Sequence, residues 1–165
     1  MTIIRTPIIN DDGSCTTGTV IDNAWKQEFY DQIDALTGLW QAVPFVAANF
    51  GATGGGWTVA ANNILVNRYV VIGQTMIWTV FVDGAAISGA PSTLNFIVPG
   101  GYRGRATYDG LIPAAKAQDG AGLQPGIVYM PLTGTQNYVV IQTVNGAPWT
   151  PGGSSIGFTI TLGVQ

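Results

Sequence analysis

Ile156, Phe158, Ile160, Leu162 and Val164 alternate without a lapse with Ser155, Gly157, Thr159, Thr161 and Gly163. A period of two sends every apolar side chain to one face of an extended chain, so this segment predicts a half-buried strand. The same alternation runs through Leu94, Phe96 and Val98 against Thr93, Asn95 and Ile97, and stops at Pro99-Gly100-Gly101. Where Met76, Trp78, Val80 and Val82 alternate with Thr75, Ile77, Thr79 and Phe81, both faces are apolar. That pattern predicts a central strand, or one covered on its outer side. Further strands are expected over 45–50, 57–61, 64–72, 127–132 and 138–144, about eight in all. Asp83-Gly84 and Asn145-Gly146 each follow a strand and read as hairpin turns. Gly51 to Gly56 reads as a flexible β-turn, and the Ala-, Gly- and Pro-rich stretch 104–126 as a long loop. No helix in this region is long enough to cross over between parallel strands. The expected fold is therefore mainly β, an antiparallel jelly-roll-like β-sandwich over residues 44–165.

Two other segments precede it. Residues 1–18 read as extended and rich in turns, yet Ile3, Ile4, Ile8 and Ile9 need a surface on which to dock. Residues 19–38 read as one amphipathic helix, with Thr19 as N-cap, Asp22 three residues on, and Gly38 closing the far end. Ile21, Trp25, Phe29, Ile33 and Leu36 form an apolar stripe about 120° wide. A single helix of this length is marginal in water, so the stripe must pack against something. The spacing averages about 3.75 residues rather than 3.5, which predicts a short straight or slightly right-handed bundle if copies of the helix associate.

Ionic side chains are scarce. Only 15 of 165 residues are Asp, Glu, Lys or Arg, against roughly 41 at the usual 25%. Charged groups normally keep a monomer free of large apolar patches, and obligate interfaces are depleted in them, so the composition predicts homo-oligomerisation. Six basic and nine acidic residues leave a net charge of −3 and no footprint for nucleic acid. Cys15 is the single thiol, which excludes an intrachain disulfide. Met1 to Asn10 has no apolar run and does not read as a secretory signal. The run from Ile64 to Val82 is broken by Asn67, Arg68, Gly73 and Gln74, so it reads as two strands and a turn rather than a membrane span. No membrane insertion is expected.

Catalysis has little to work with. His is absent, removing the usual general base and the commonest metal ligand, and no G-x-S-x-G elbow occurs. Asp83, Asp109 and Asp119 are the carboxylates available for a glycosidase-type pair, but Asp-Gly dipeptides have a turn-forming explanation of their own. The glycine run before Trp57 lacks a Walker lysine and leads into a strand, and Asp11-Asp12-Gly13 is too short for a calcium loop. No cofactor or metal is expected, and the chain reads as no enzyme. Trp149 lies between Pro148 and Pro151 in a loop, where it and Tyr102 and Tyr108 are candidates for stacking on a sugar or meeting a partner.

Arg5-Thr6-Pro7-Ile8-Ile9-Asn10-Asp11-Asp12-Gly13, followed by Thr17-Gly18-Thr19-Val20-Ile21-Asp22-Asn23-Ala24-Trp25-Lys26, resembles the start of small tailed-phage virion proteins. Tyr69 to Val82 and Leu94 to Tyr102 resemble the jelly-roll tip domain of phage fibre and receptor-binding proteins. The resemblance implies a homotrimer in the virion, assembled in the host cytoplasm. Residues 1–18 would attach to other virion proteins of capsid or tail, the helix would join a three-helix stem, and the β-domain would form a knob for host cell-surface glycan. It supplies no catalytic residues. The chain is short for a complete tail fibre, which favours a head fibre, decoration protein or small spike. A stand-alone carbohydrate-binding module is the second reading, and a polysaccharide depolymerase the third.

Overall fold

A computed structural model of the chain describes residues 23–104, 112–131 and 136–165, with side chains for 26–33, 38–104, 117–131 and 136–165. The chain divides into two units, Met1–Leu39 and Trp40–Gln165. In the first, helix α1 spans Asn23–Thr37. Gly38 follows it at φ 67°, the left-handed conformation that lets a chain leave a helix without a Cβ clash. Two side-chain bonds reinforce the polar side one turn apart, Gln27 Nε2 to Asp31 Oδ1 (2.7 Å) and Gln32 Nε2 to Glu28 Oε1 (3.3 Å). In the single chain Phe29 and Ile33 are 48% and 37% exposed. The proposed attachment residues Ile3, Ile4, Ile8 and Ile9, the cap Thr19 and Ile21 lie outside the described residues, as do the side chains of Trp25 and Leu36.

The second unit is built from eight strands among the described residues: β1 (Gln41–Ala42), β2 (Phe50–Thr58), β3 (Ile64–Ile72), β4 (Thr75–Ile97), β5 (Ile112–Asp119), β6 (Gly122–Tyr129), β7 (Tyr138–Thr143) and β8 (Gly152–Gly163). Every pairing is antiparallel. The order runs β1-β3-β4-β7-β6-β5-β8, and β8 returns to pair with β4, so the ladder closes like a barrel. One strand makes the closure possible. The first half of β4 lies between β3 and β8, and its last residues lie between β2 and β7. Two interruptions let it change partners. Gly84, at φ 70°, is an extra residue between the pairs Asp83–Ser155 and Ala85–Ser154. Residues 90–92 bulge out after Gly89, which sits at φ 68°. An inserted left-handed glycine bends a strand and tightens its twist.

The core lies inside this closure. Met76, Trp78, Val80 and Val82 from β4 are at most 1% exposed and face Ile156, Ile160 and Leu162 from β8. The Phe96 ring meets Phe50, Trp57, Trp78 and Phe158 edge-on, with centroids 4.9 to 6.2 Å away. Such pairs are worth about 0.5–1.5 kcal/mol each beyond the area they bury. Two indoles find polar partners: Trp78 Nε1 donates to Asn67 Oδ1 (2.9 Å), and Trp57 Nε1 donates to Ser154 Oγ (3.0 Å), which itself donates to the Ala85 carbonyl (2.9 Å). The first half of β4 is a central strand, as its doubly apolar pattern requires, and its outer residues Ile77, Thr79 and Phe81 are half-buried.

Several local expectations are corrected. Residues 45–49 form no strand; a single 3-10 turn over Ala47–Asn49 leads into β2, and the Phe45 ring stacks on Phe50 at 5.9 Å. Gly51 to Gly56 is strand rather than turn. A Cβ on Gly55 would stand 2.8 Å from the Ser88 carbonyl oxygen and from Pro91, so β4 runs too close there for a side chain. Strand β2 stops at Thr58, short of residue 61. Asp83-Gly84 makes a bulge inside β4 and no hairpin. Asn145-Gly146 does close a turn, with Gly146 N–H on the Thr143 carbonyl (2.9 Å), but β8 pairs with β4 and β5 and not with β7. The stretch expected as a long loop contains the β5–β6 hairpin, and β6 starts at Gly122 and ends at Tyr129, earlier than the expected strand 127–132.

Candidate functional site

β3 sends successive side chains to opposite faces, so Arg68 points outward and Tyr69 inward. Short β1 pairs with both, Ala42 opposite Arg68 and Gln41 opposite Tyr69. Outside, the Arg68 guanidinium lies 4.8 Å from the Trp40 ring centroid, and Trp40 stays 47% exposed. A cation over an indole face at an exposed site is worth about 0.5–1 kcal/mol. Inside, the Tyr69 hydroxyl donates to Gln41 Oε1 (2.6 Å), and the Tyr69 and Tyr102 rings meet edge-on at 6.2 Å. Gly100, at φ 70° in the turn Pro99–Gly101, makes this contact possible. A Cβ on it would stand 2.7 Å from the Tyr69 hydroxyl and 2.8 Å from the Tyr102 ring. Burial, and after it the neighbouring Tyr102, raises the Tyr69 hydroxyl above the usual tyrosine pKa of 10.0. Tyr102 remains half-buried. The outer side of this edge thus offers an indole face and guanidinium N–H donors, groups for holding a ligand without covalent chemistry, while Gln41, Tyr69 and Tyr102 lie on its inner side.

Of the three candidate ligand residues, Tyr102 alone belongs to this edge; Tyr108 lies outside the described residues, as does Asp109. Trp149 corrects the expectation. It is 0% exposed and offers no face to a sugar. Its loop is pinned from three sides: Trp149 N–H donates to the Pro91 carbonyl (2.8 Å), Thr143 Oγ1 to the Ala147 carbonyl (2.6 Å), and Thr150 N–H to Asp119 Oδ2 (2.8 Å). Proline flanks mark a loop, but these bonds fold the loop onto the core. The indole Nε1 of Trp149 is buried with no acceptor among the described residues.

Asp119 is 3% exposed and has structural work for both oxygens. Oδ1 accepts from Ala121 N–H (2.9 Å), closing the β5–β6 turn, and Oδ2 accepts from Gln124 Nε2 and Thr150 N–H. Asp83 is exposed at the β4 bulge, where its carbonyl accepts from Asn63 Nδ2 (2.9 Å). No three His, Cys, Asp or Glu side chains cluster among the described residues, and no described helix is long and apolar enough to cross a membrane.

The sequence reading missed Trp40 and Arg68 as a pair. The signal available was an aromatic residue two places after the helix-closing Gly38; its partner is 28 residues away and depends on the β1–β3 register. Set beside family models, curated proteins and solved structures, the chain finds no match.

Proposed function

We propose that this chain is the subunit of a homotrimeric structural and binding protein of a tailed-phage particle: a head fibre, decoration protein or small spike. One observation carries the self-association. With 15 charged residues in 165, large apolar side chains stay open on both units, among them Phe29, Leu65, Ile72 and Leu123 at 41% to 72% exposure. Identical neighbours would cover such surface. The particle role rests on the resemblance of residues 5–13, 17–26, 69–82 and 94–102 to virion proteins. In this reading residues 1–18 attach to the particle, the helix joins copies, and the body offers its edge at Trp40 and Arg68 to surface glycan.

Mass in solution tests it: three times 17.3 kDa is expected, with Trp25→Asp reducing it to single copies because a charge would be buried unpaired. A chain that stays monomeric at every concentration overturns the trimer and leaves the second reading, a carbohydrate-binding module working through that same edge. Deleting residues 1–18 should leave the trimer intact and abolish its incorporation into particles.

A further inference from the structure

We infer that the outer face of β3, β4 and β8 is where the body of one copy meets the body of a second copy of this chain, an inference that rests on the homo-oligomer proposed above. The pairings fix which residues share this face. Four rows cross it: Val66–Phe81–Gly157, Arg68–Thr79–Thr159, Val70–Ile77–Thr161 and Ile72–Thr75–Gly163. Of these twelve positions one is ionisable. An antiparallel sheet with one face to water normally carries polar and charged residues there; here Ile72 is 41% exposed, Ile77 and Phe81 are half-buried, and Val70 is already covered within the single chain at 3%. Lys116, opposite Gly157 on β5, takes the next position beyond the face.

Two details suit the face to burial. The Thr79 and Thr159 hydroxyls lie 3.0 Å apart and share one hydrogen bond, so covering the pair leaves one O–H donor to place rather than two. Phe81 lies against Gly157, where a Cβ would stand 3.0 Å from its ring, so the aromatic fills the gap that glycine leaves and flattens the surface. Arg68, stacked on Trp40, stands at the margin, where a guanidinium keeps its water.

Size selects the occupant. Three strands about 4.8 Å apart and four same-face residues along each give a patch of roughly 350 Å2. Set against an equal area on the neighbouring copy, as the heterologous contacts of a trimer require, it buries about 700 Å2 in total, short of the roughly 1,200–2,000 Å2 of a stable interface between separate proteins. An unrelated partner would have to bind on that area alone. A second copy already held through the helix would not, because the contact is then made at the high effective concentration of a tethered pair.

The test uses the full chain. Thr161→Arg and Thr159→Arg set a cation among Ile77, Thr79 and their counterparts, at exposed positions that the fold tolerates. The concentration at which the oligomer half-dissociates, read by sedimentation, should rise at least tenfold, while Asn137→Arg, away from this face, leaves it within twofold. Unchanged dissociation in folded Thr161→Arg overturns the face and leaves the homo-oligomer standing. A parent chain that is monomeric throughout overturns both. The near-isosteric Thr161→Cys gives a second reading, with alkylation compared against the parent to subtract Cys15. Alkylation should be slow in the oligomer and accelerate at least fivefold on dilution to single copies. A rate that is fast, or slow, at all dilutions overturns the inference, the slow case because the chain would be covering the face itself.

Discussion

Replacing Asp119 with Ala should unfasten the loop that carries Trp149. The side chain is 3% exposed and accepts from Ala121 N–H, Thr150 N–H and Gln124 Nε2. A hydrogen bond to a charged group contributes about 1.5–3 kcal/mol. The three do not add at full value. Ala121 and Thr150 are exposed residues whose N–H groups can recover water, and Gln124 is only half-buried. A loss of about 2–4 kcal/mol follows, which for a body of this size, at about 4 °C per kcal/mol, lowers Tm by roughly 8–16 °C. Asp119→Asn should cost about half as much. Its one remaining acceptor can serve either the turn or the loop, while its amide group faces the donors it cannot serve.

Thermal unfolding followed by near-UV circular dichroism measures the loss, and tryptophan emission locates it. Thr150 follows Trp149 directly, so the Ala variant should show red-shifted emission and easier quenching by acrylamide while the core indoles Trp57 and Trp78 stay protected. A drop below 4 °C, or equal losses for Ala and Asn, would refute this reasoning. If stability held while a glycan-cleaving activity disappeared, the carboxylate would belong to catalysis instead.

Gly120→Ala probes the same junction from the other side. Its Cβ would overlap the Pro151 carbonyl oxygen, and since that atom is backbone the chain must shift, at a cost of about 2 kcal/mol or more by urea unfolding; a neutral outcome would mean that the β5–β6 turn and the loop do not meet as described. Trp149→Phe should cost about 1–2 kcal/mol less than Trp57→Phe, because Trp57 loses its bond to Ser154 Oγ while Trp149 loses an N–H that has no acceptor among the described residues. An equal or greater loss at Trp149 would point to a buried water on that nitrogen. Above pH 10 the body should weaken. Burial, then Tyr102, raises the Tyr69 hydroxyl, and burial, then Tyr138, raises that of Tyr129. The folded state therefore holds protons that the unfolded chain releases, and stability complete below pH 10 falls as pH rises past it. Tyr69→Phe should flatten this fall in urea titrations between pH 8 and 11.5, and an unchanged slope would remove Tyr69 as its source.

The strands that were legible in the sequence are those whose apolar side chains are large and all point one way. β8 and the first half of β4 announce themselves because a packed core needs Ile, Trp, Phe and Leu at every second place. Where the side chains shrink, the signal fades. β2 holds Gly55 and Gly56 because Ser88 and Pro91 press on it from β4, a constraint 30-odd residues away that no local window contains, and Gly54 because φ is 79° there. The β5–β6 hairpin is made of Ala, Gly, Gln and Pro for much of its length, so its period of two has nothing to modulate. Asp83-Gly84 and Asn145-Gly146 carry a true local message, a positive φ at glycine. That message does not say whether the chain then reverses, bulges or runs on; long-range pairing with β8 decides it. Trp149 was misplaced for a related reason, since Pro148 and Pro151 specify a loop but not the surface on which it lies. Tyr102 is half-buried, and its companions Tyr69, Gln41 and Gly100 come from three separate elements that no local window joins.

How copies could meet is also narrowed by the edges. Residues 35–67 contain no Asp, Glu, Lys or Arg, although this stretch supplies β1 and β2, which end the sheet among the described residues. Exposed edges are usually guarded by charge, because an unpaired ladder invites another chain to add to it. Here the guard is geometric. β1 is two residues long, and β2 breaks its register at Gly54, where φ is 79°. A bulge twists an edge away from the straight ladder that strand addition requires. Association through edges is thereby disfavoured, and association through side chains on a sheet face is not. A face contact depends on the chemistry of each side chain in a way that a backbone ladder does not, which is why one arginine at Thr161 is enough to separate the two modes: it would break a face and spare an edge.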